Sequence, residues 1–132
     1  MLTLAAISGF LAVALGAFGA HGLKTVLSPD MMAVYQTGVL YHLTHSILWL
    51  VVSALSVFDP ENPWLKRSAV ALAVGVVLFS GSLYLLTMTG LKTLGMITPV
   101  GGVSLLLGWL MLAIAGRKLL ALQAEGSERT KT

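Results

Sequence analysis

The chain has 132 residues, of which 57% are hydrophobic and only 10% charged, with a formal net charge of +3. A soluble domain has about 45–50% apolar and about 25% charged residues, so thirteen charges cannot clothe a soluble fold. That balance excludes a soluble enzyme, a nucleic-acid binder and a disordered chain.

Four stretches contain no Asp, Glu, Lys or Arg: Met1–Leu23, Met31–Phe58, Ser68–Leu91 and Thr93–Gly116. Each exceeds the roughly 20 residues that a helix needs to cross the hydrocarbon. Crossings are predicted at about residues 2–21, 34–58, 65–89 and 97–116, in one transmembrane domain over 1–116. Met1–Ala20 has small residues at its end but no Lys or Arg ahead of its apolar run. A signal peptide normally carries that charge, so the segment reads as a retained first span.

Ser28-Pro29-Asp30 before the second span combines an N-cap, a proline at the first helical position and an acid in the first turn. Asn62-Pro63 repeats the pattern before the third, with Trp64 as an interfacial anchor beside Lys66 and Arg67. The fourth start has two readings. Either Thr98-Pro99 opens the helix, or Pro99 kinks one that began near Thr93. Residues 117–132 form a polar tail, expected to be disordered from Gly126.

Basic residues beside membrane spans signal orientation. Lys66, Arg67, Arg117, Lys118, Arg129 and Lys131 fall on the side of the termini, and Lys24 and Lys92 on the other. Both termini are therefore expected in the cytoplasm of a bacterial inner membrane. The chain contains no cysteine, which excludes disulfides and thiolate metal sites. Gly22-Leu23-Lys24 and Gly90-Leu91-Lys92 form a faint internal repeat.

Helices in lipid associate where small residues let backbones approach. Stripes at heptad spacing predict left-handed packing. The first span offers Ala5, Gly9, Ala12, Gly16 and Gly19. The third offers Ser68, Ala71, Gly75, Ser82 and Thr89, and the fourth Gly101, Ser104, Gly108 and Ala115. In the second, the stripe is Tyr35, Gly38, His42, His45, Trp49, Ser53 and Ser56, with Leu40, Leu43, Ile47 and Leu50 toward lipid. The expected fold is an all-α, left-handed bundle of four transmembrane helices.

The polar members of these stripes gather at one level. His42 and His45 lie roughly 20–24 Å from the inner end of their helix. His21, Tyr35, Gln36, Tyr41, Tyr84 and Thr98 fall in the same outer half. An intramembrane ionisable residue is a functional candidate because it is costly there. Two readings stand. The histidines glue helices together, or they line a pocket or pore mouth for a small solute, lipid headgroup or metal. His21, His42 and His45 are weak metal candidates, although His21 belongs to another helix. No Asp or Glu lies within a span, which argues against acid–base catalysis. No cofactor motif is present. The expected partners are the lipid bilayer, further copies of the chain or other membrane proteins.

Four ordered motifs carry a resemblance: Gly16-Ala17-Phe18-Gly19-Ala20-His21; Gln36-Thr37-Gly38 with Tyr41 and His45; Leu78-Phe79-Ser80-Gly81-Ser82-Leu83-Tyr84; and Thr98-Pro99-Val100-Gly101-Gly102-Val103 with Gly108-Trp109. Up to Arg117 the chain resembles the YgdD-like family of small bacterial inner-membrane proteins, which has a eukaryotic transmembrane relative. The resemblance implies a multi-pass inner-membrane protein and no activity, the family being one of unknown function. It supports His21, Tyr41 and His45, and does not require a histidine at position 42.

Overall fold

Ser28, Asn62 and Gly90 punctuate the chain. The computed structural model describes residues 1–129, with side chains placed through Lys118. Its long helices are α1 (Leu2–Phe18), α2 (Pro29–Phe58), α3 (Pro63–Thr89) and α4 (Thr98–Arg129). No strand occurs among the described residues. All four are long and apolar enough to cross a membrane, and four crossings return both termini to one face.

The boundaries follow from local chemistry. The Ser28 hydroxyl accepts from the Met31 N–H at 3.3 Å, with Pro29 at the first helical position. Buried Asn62 holds Asp59 with its amide nitrogen at 2.9 Å and accepts from the Trp64 N–H at 3.2 Å. The Arg67 guanidinium lies 5.1 Å from the Trp64 ring centroid, marking that interface with a cation–π pair. Gly90 ends α3 at φ 73°, a left-handed conformation that a Cβ disfavours. The fourth helix begins at Thr98, after a short 3₁₀ turn at Lys92–Met96. Pro99 thus sits in a first turn, where its missing N–H costs nothing, and kinks no helix.

After α1 the chain widens into a π turn, Gly19–Leu23, rather than stopping near residue 21. Gly22 belongs to that turn and Gly90 to a left-handed cap, so the faint repeat has no counterpart in the backbone. α4 runs past Arg117 to Arg129, across part of the segment expected to be disordered. Ala, Leu, Gln and Glu dominate from 119 to 125 and are strong helix formers. Residues 130–132 of that expectation lie outside the described ones.

Packing follows chain order. α1 packs on α2, α2 on α3, and α3 on α4, and these three are the extensive helix–helix interfaces. Ala5, Trp49, Val52, Leu65, Ala69, Leu72, Val76, Leu105 and Ala115 form the core. The glycines of the fourth stripe lie where α4 comes close to α3. Gly101 meets the Phe79 backbone, and Gly108 would put a Cβ 2.8 Å from the Leu72 side chain. Gly75 would place one 3.0 Å from the Leu105 backbone nitrogen. Hydroxyls follow the same line, Ser68 donating to the Gly108 carbonyl at 2.7 Å and Ser104 to that of Ala71 at 2.8 Å. In α1, Ala5, Ala12 and Gly19 are buried, and Gly9 and Gly16 half-buried. Thr89 departs from its stripe, because it is the last residue of α3 and faces outward. The predicted lipid face of α2 is open at Leu40, Ile47 and Leu50. Phe10, Val77 and Leu106 are each more than two-thirds exposed, which suits hydrocarbon and would be an aggregation hazard in water.

Candidate functional site

The polar residues around α2 divide between two neighbouring faces of that helix. On the side of α1 and α3, His42 is buried and engaged at both ring nitrogens. Its Nε2 lies 3.1 Å from the Ser8 hydroxyl, and its Nδ1 3.2 Å from the Tyr84 hydroxyl. Ser8 continues to the Ser46 hydroxyl at 2.6 Å. A neutral imidazole donates from one nitrogen and accepts at the other, and hydroxyls do both. Either tautomer therefore satisfies the chain Tyr84–His42–Ser8–Ser46, which ties three helices together. Beside it, Tyr35 donates to the Leu15 carbonyl at 2.7 Å. Its ring lies 5.1 Å from that of Tyr84, and Gly19 and Gly38 make room for the two rings.

About 60° round α2 from His42, His45 faces α4. Its Nδ1 is 2.9 Å from the Tyr41 carbonyl oxygen. A carbonyl only accepts, so Nδ1 carries the proton and Nε2 is bare. That nitrogen accepts from the Trp109 indole N–H at 3.4 Å, a long bond against the usual 2.9–3.0 Å or so. The Tyr41 ring stacks on His45 at 5.5 Å and 14°, and on Phe79 at 4.4 Å and 28°. Trp109 meets His45 edge-on at 84°. These rings line a groove of about 580 Å³ between α2 and α4, floored by Phe79 of α3.

The remaining candidates lie elsewhere. Thr98 shares a 2.8 Å hydrogen bond with Ser82, tying the start of α4 to α3. Gln36 is exposed and borders a shallow depression beside Gly16 and Gly19. His21 stands exposed in the π turn. Among the described residues no three His, Cys, Asp or Glu side chains gather into a metal-binding group. The eight polar residues expected at one level thus form a buried network, an open aromatic groove and three positions apart from both.

Sequence reasoning missed Ser8 and Ser46. Both are buried, and their spacing was a usable signal. Ser8 falls between Ala5 and Ala12 on one helical face, and Ser46 sits one turn after His42. Phe79 and Trp109 entered only through the resemblance. An aromatic residue on an apolar helix carries no sign of which neighbour it will meet.

The protein-family model described as "Protein of unknown function (DUF423)" matches residues 15–102. The chain is 41% identical over 119 residues to the UPF0382 membrane protein YwdK of Bacillus subtilis, covering 90% of this chain and 97% of that one. It is 44% identical over 119 residues to the UPF0382 inner membrane protein YgdD of Escherichia coli K12, covering 90% of each. A Staphylococcus aureus relative, UPF0382 membrane protein SAB0533, is 38% identical, with 86% of this chain and 92% of that one covered. No solved structure matches the chain. With four apolar crossings and relatives matched over nearly their whole length, this chain belongs to the DUF423 family of multi-pass inner-membrane proteins, for which no activity is established.

Proposed function

We propose that the protein is an interaction module of the cytoplasmic membrane, acting through the surfaces it presents to other membrane-embedded molecules and not through chemistry of its own. One observation carries this reading. His42, the buried histidine, has both ring nitrogens engaged by Ser8 of α1 and Tyr84 of α3. An imidazole so held orders helices and is not available to a substrate. The absence of carboxylates within the charge-free spans adds to this. The outer faces of α1 and α4, rich in exposed residues such as Phe10 and Leu106, are left for further copies of the chain or for other membrane proteins.

The test is photocrosslinking in membranes, with a photoreactive residue at Phe10 or Leu106. A discrete protein adduct at either position is expected. Diffuse lipid adducts at both would remove the reading.

A second reading, ligand binding around His45, has its own observation in the groove between α2 and α4. Solute conduction fits less well. The His42 network turns to α1 and α3 while His45 turns to α4, and no hydrogen bond joins the two among the described residues, so they do not form one polar file.

A further inference from the structure

We propose that the groove between α2 and α4 binds a flat, membrane-soluble ring carrying a carbonyl or hydroxyl group, that is, a ligand of the quinone class. This rests on the ligand-binding reading and names its ligand.

Size and position come first. A volume of about 580 Å³ falls within the roughly 300–1,000 Å³ of small-molecule sites. His45 lies thirteen residues from the inner end of α2, and Trp109 eight residues before Arg117. At about 1.5 Å per residue these are depths of roughly 20 Å and 12 Å, near the middle of a hydrocarbon core about 30 Å thick. Leu40 and Leu106, both exposed, form the rim, so entry is from the acyl chains and not from water. A ligand reaching this depth is lipid-soluble.

The walls then select its shape. Tyr41, His45, Phe79 and Trp109 give the groove flat faces and edges. Aromatic rings favour offset stacking or edge contacts with another ring. Gly102 keeps the space open, since a Cβ there would rest 3.7 Å from the Phe79 ring, in ordinary contact.

The polar pair selects the functional group. Trp109 contributes an N–H held only by a 3.4 Å bond, and His45 contributes the bare Nε2 that receives it. An indole donor so loosely held is free to turn to a ring carbonyl. The same imidazole nitrogen accepts from a ring hydroxyl once Trp109 is released. One site thus serves both the carbonyl and the hydroxyl form of such a ring. A polar pair in mid-membrane is costly unless it finds partners, and here the two partners are weakly joined.

The experiment reads retention of a radiolabelled short-chain alkyl benzoquinone by the full chain in phosphatidylcholine nanodiscs. Binding is expected to saturate at one molecule per chain. His45→Leu, which removes the acceptor, and Gly102→Leu, which fills the groove, are each expected to weaken it by about tenfold or more. Helical circular dichroism and monodisperse elution establish that each variant is folded. An alkyl alcohol of equal chain length is expected not to compete. Retention no greater than in empty nanodiscs would overturn the proposal and leave the broader ligand-binding reading to other probes. Equal affinity in both variants would place the molecule elsewhere and overturn the proposal. Displacement by the alcohol would leave a ligand groove but overturn the ring class.

Discussion

Gly101 of α4 lies against the backbone of Phe79 in α3, so close that a Cβ at position 101 would stand 2.7 Å from the Phe79 Cα and 2.8 Å from the Leu78 carbonyl carbon. Backbone cannot rotate away as a side chain does. Gly101→Ala is therefore expected to push α4 off α3 and destabilise the protein by about 1–3 kcal/mol, read by unfolding in mixed micelles. Gly81→Ala is the control. Nothing lies within 4 Å of a Cβ there, and alanine is the better helix former by roughly 0.5–1 kcal/mol. The control is expected to be neutral or stabilising. Equal losses at both positions would contradict the close-approach account.

The His42 network predicts coupling. His42→Leu leaves Ser8 and Tyr84 without their shared partner and is expected to cost about 1–2 kcal/mol. A double-mutant cycle with Tyr84→Phe isolates the pair. The second substitution is expected to cost less in the His42→Leu background than alone, by several tenths of a kcal/mol or more. Strict additivity would mean that the 3.2 Å contact contributes nothing.

Ser68 and Ser104 each donate to a carbonyl across the α3–α4 interface. The two bonds are neighbours in one interface, with Ser68 and Ala71 one turn apart on α3 and Ser104 and Gly108 one turn apart on α4, so their effects are expected to couple and not simply to add. Each Ser→Ala change is expected to cost roughly 0.5–1 kcal/mol, measured by the same unfolding assay. A double variant whose loss is the plain sum of the two single losses would overturn this.

Orientation has a separate test. The chain has no cysteine, so single cysteines report without background. Lys24→Cys and Lys92→Cys are expected to react with a membrane-impermeant maleimide added outside spheroplasts. Lys66→Cys is expected to react only after permeabilisation. The reverse pattern would place the termini outside.

Much of the fold was legible because its causes are local. A missing charge over more than twenty residues has few outcomes besides a crossing, and Ser28, Asn62 and Pro99 act on their own turns. The α3–α4 interface was legible too, since Gly75, Gly101 and Gly108 mark where backbones meet. The site was not legible as one object. Tyr41, His42 and His45 share a helix, yet only the placement of its neighbours decides that His42 turns to α1 and α3 while His45 turns to α4. Gln36 and His21 sit at the expected level but on outward faces. The tail misled because Gly126 reads as a stop, although α4 carries on from the good helix formers of 119–125 as far as Arg129.

The chain-order packing also bears on biogenesis. Each rod finds its main neighbour in the segment synthesised immediately before or after it, so the contacts are local and the closure entropy of each hairpin is small. Assembly can keep pace with translocon release, and no half-built intermediate need wait for a distant strand of the same polypeptide.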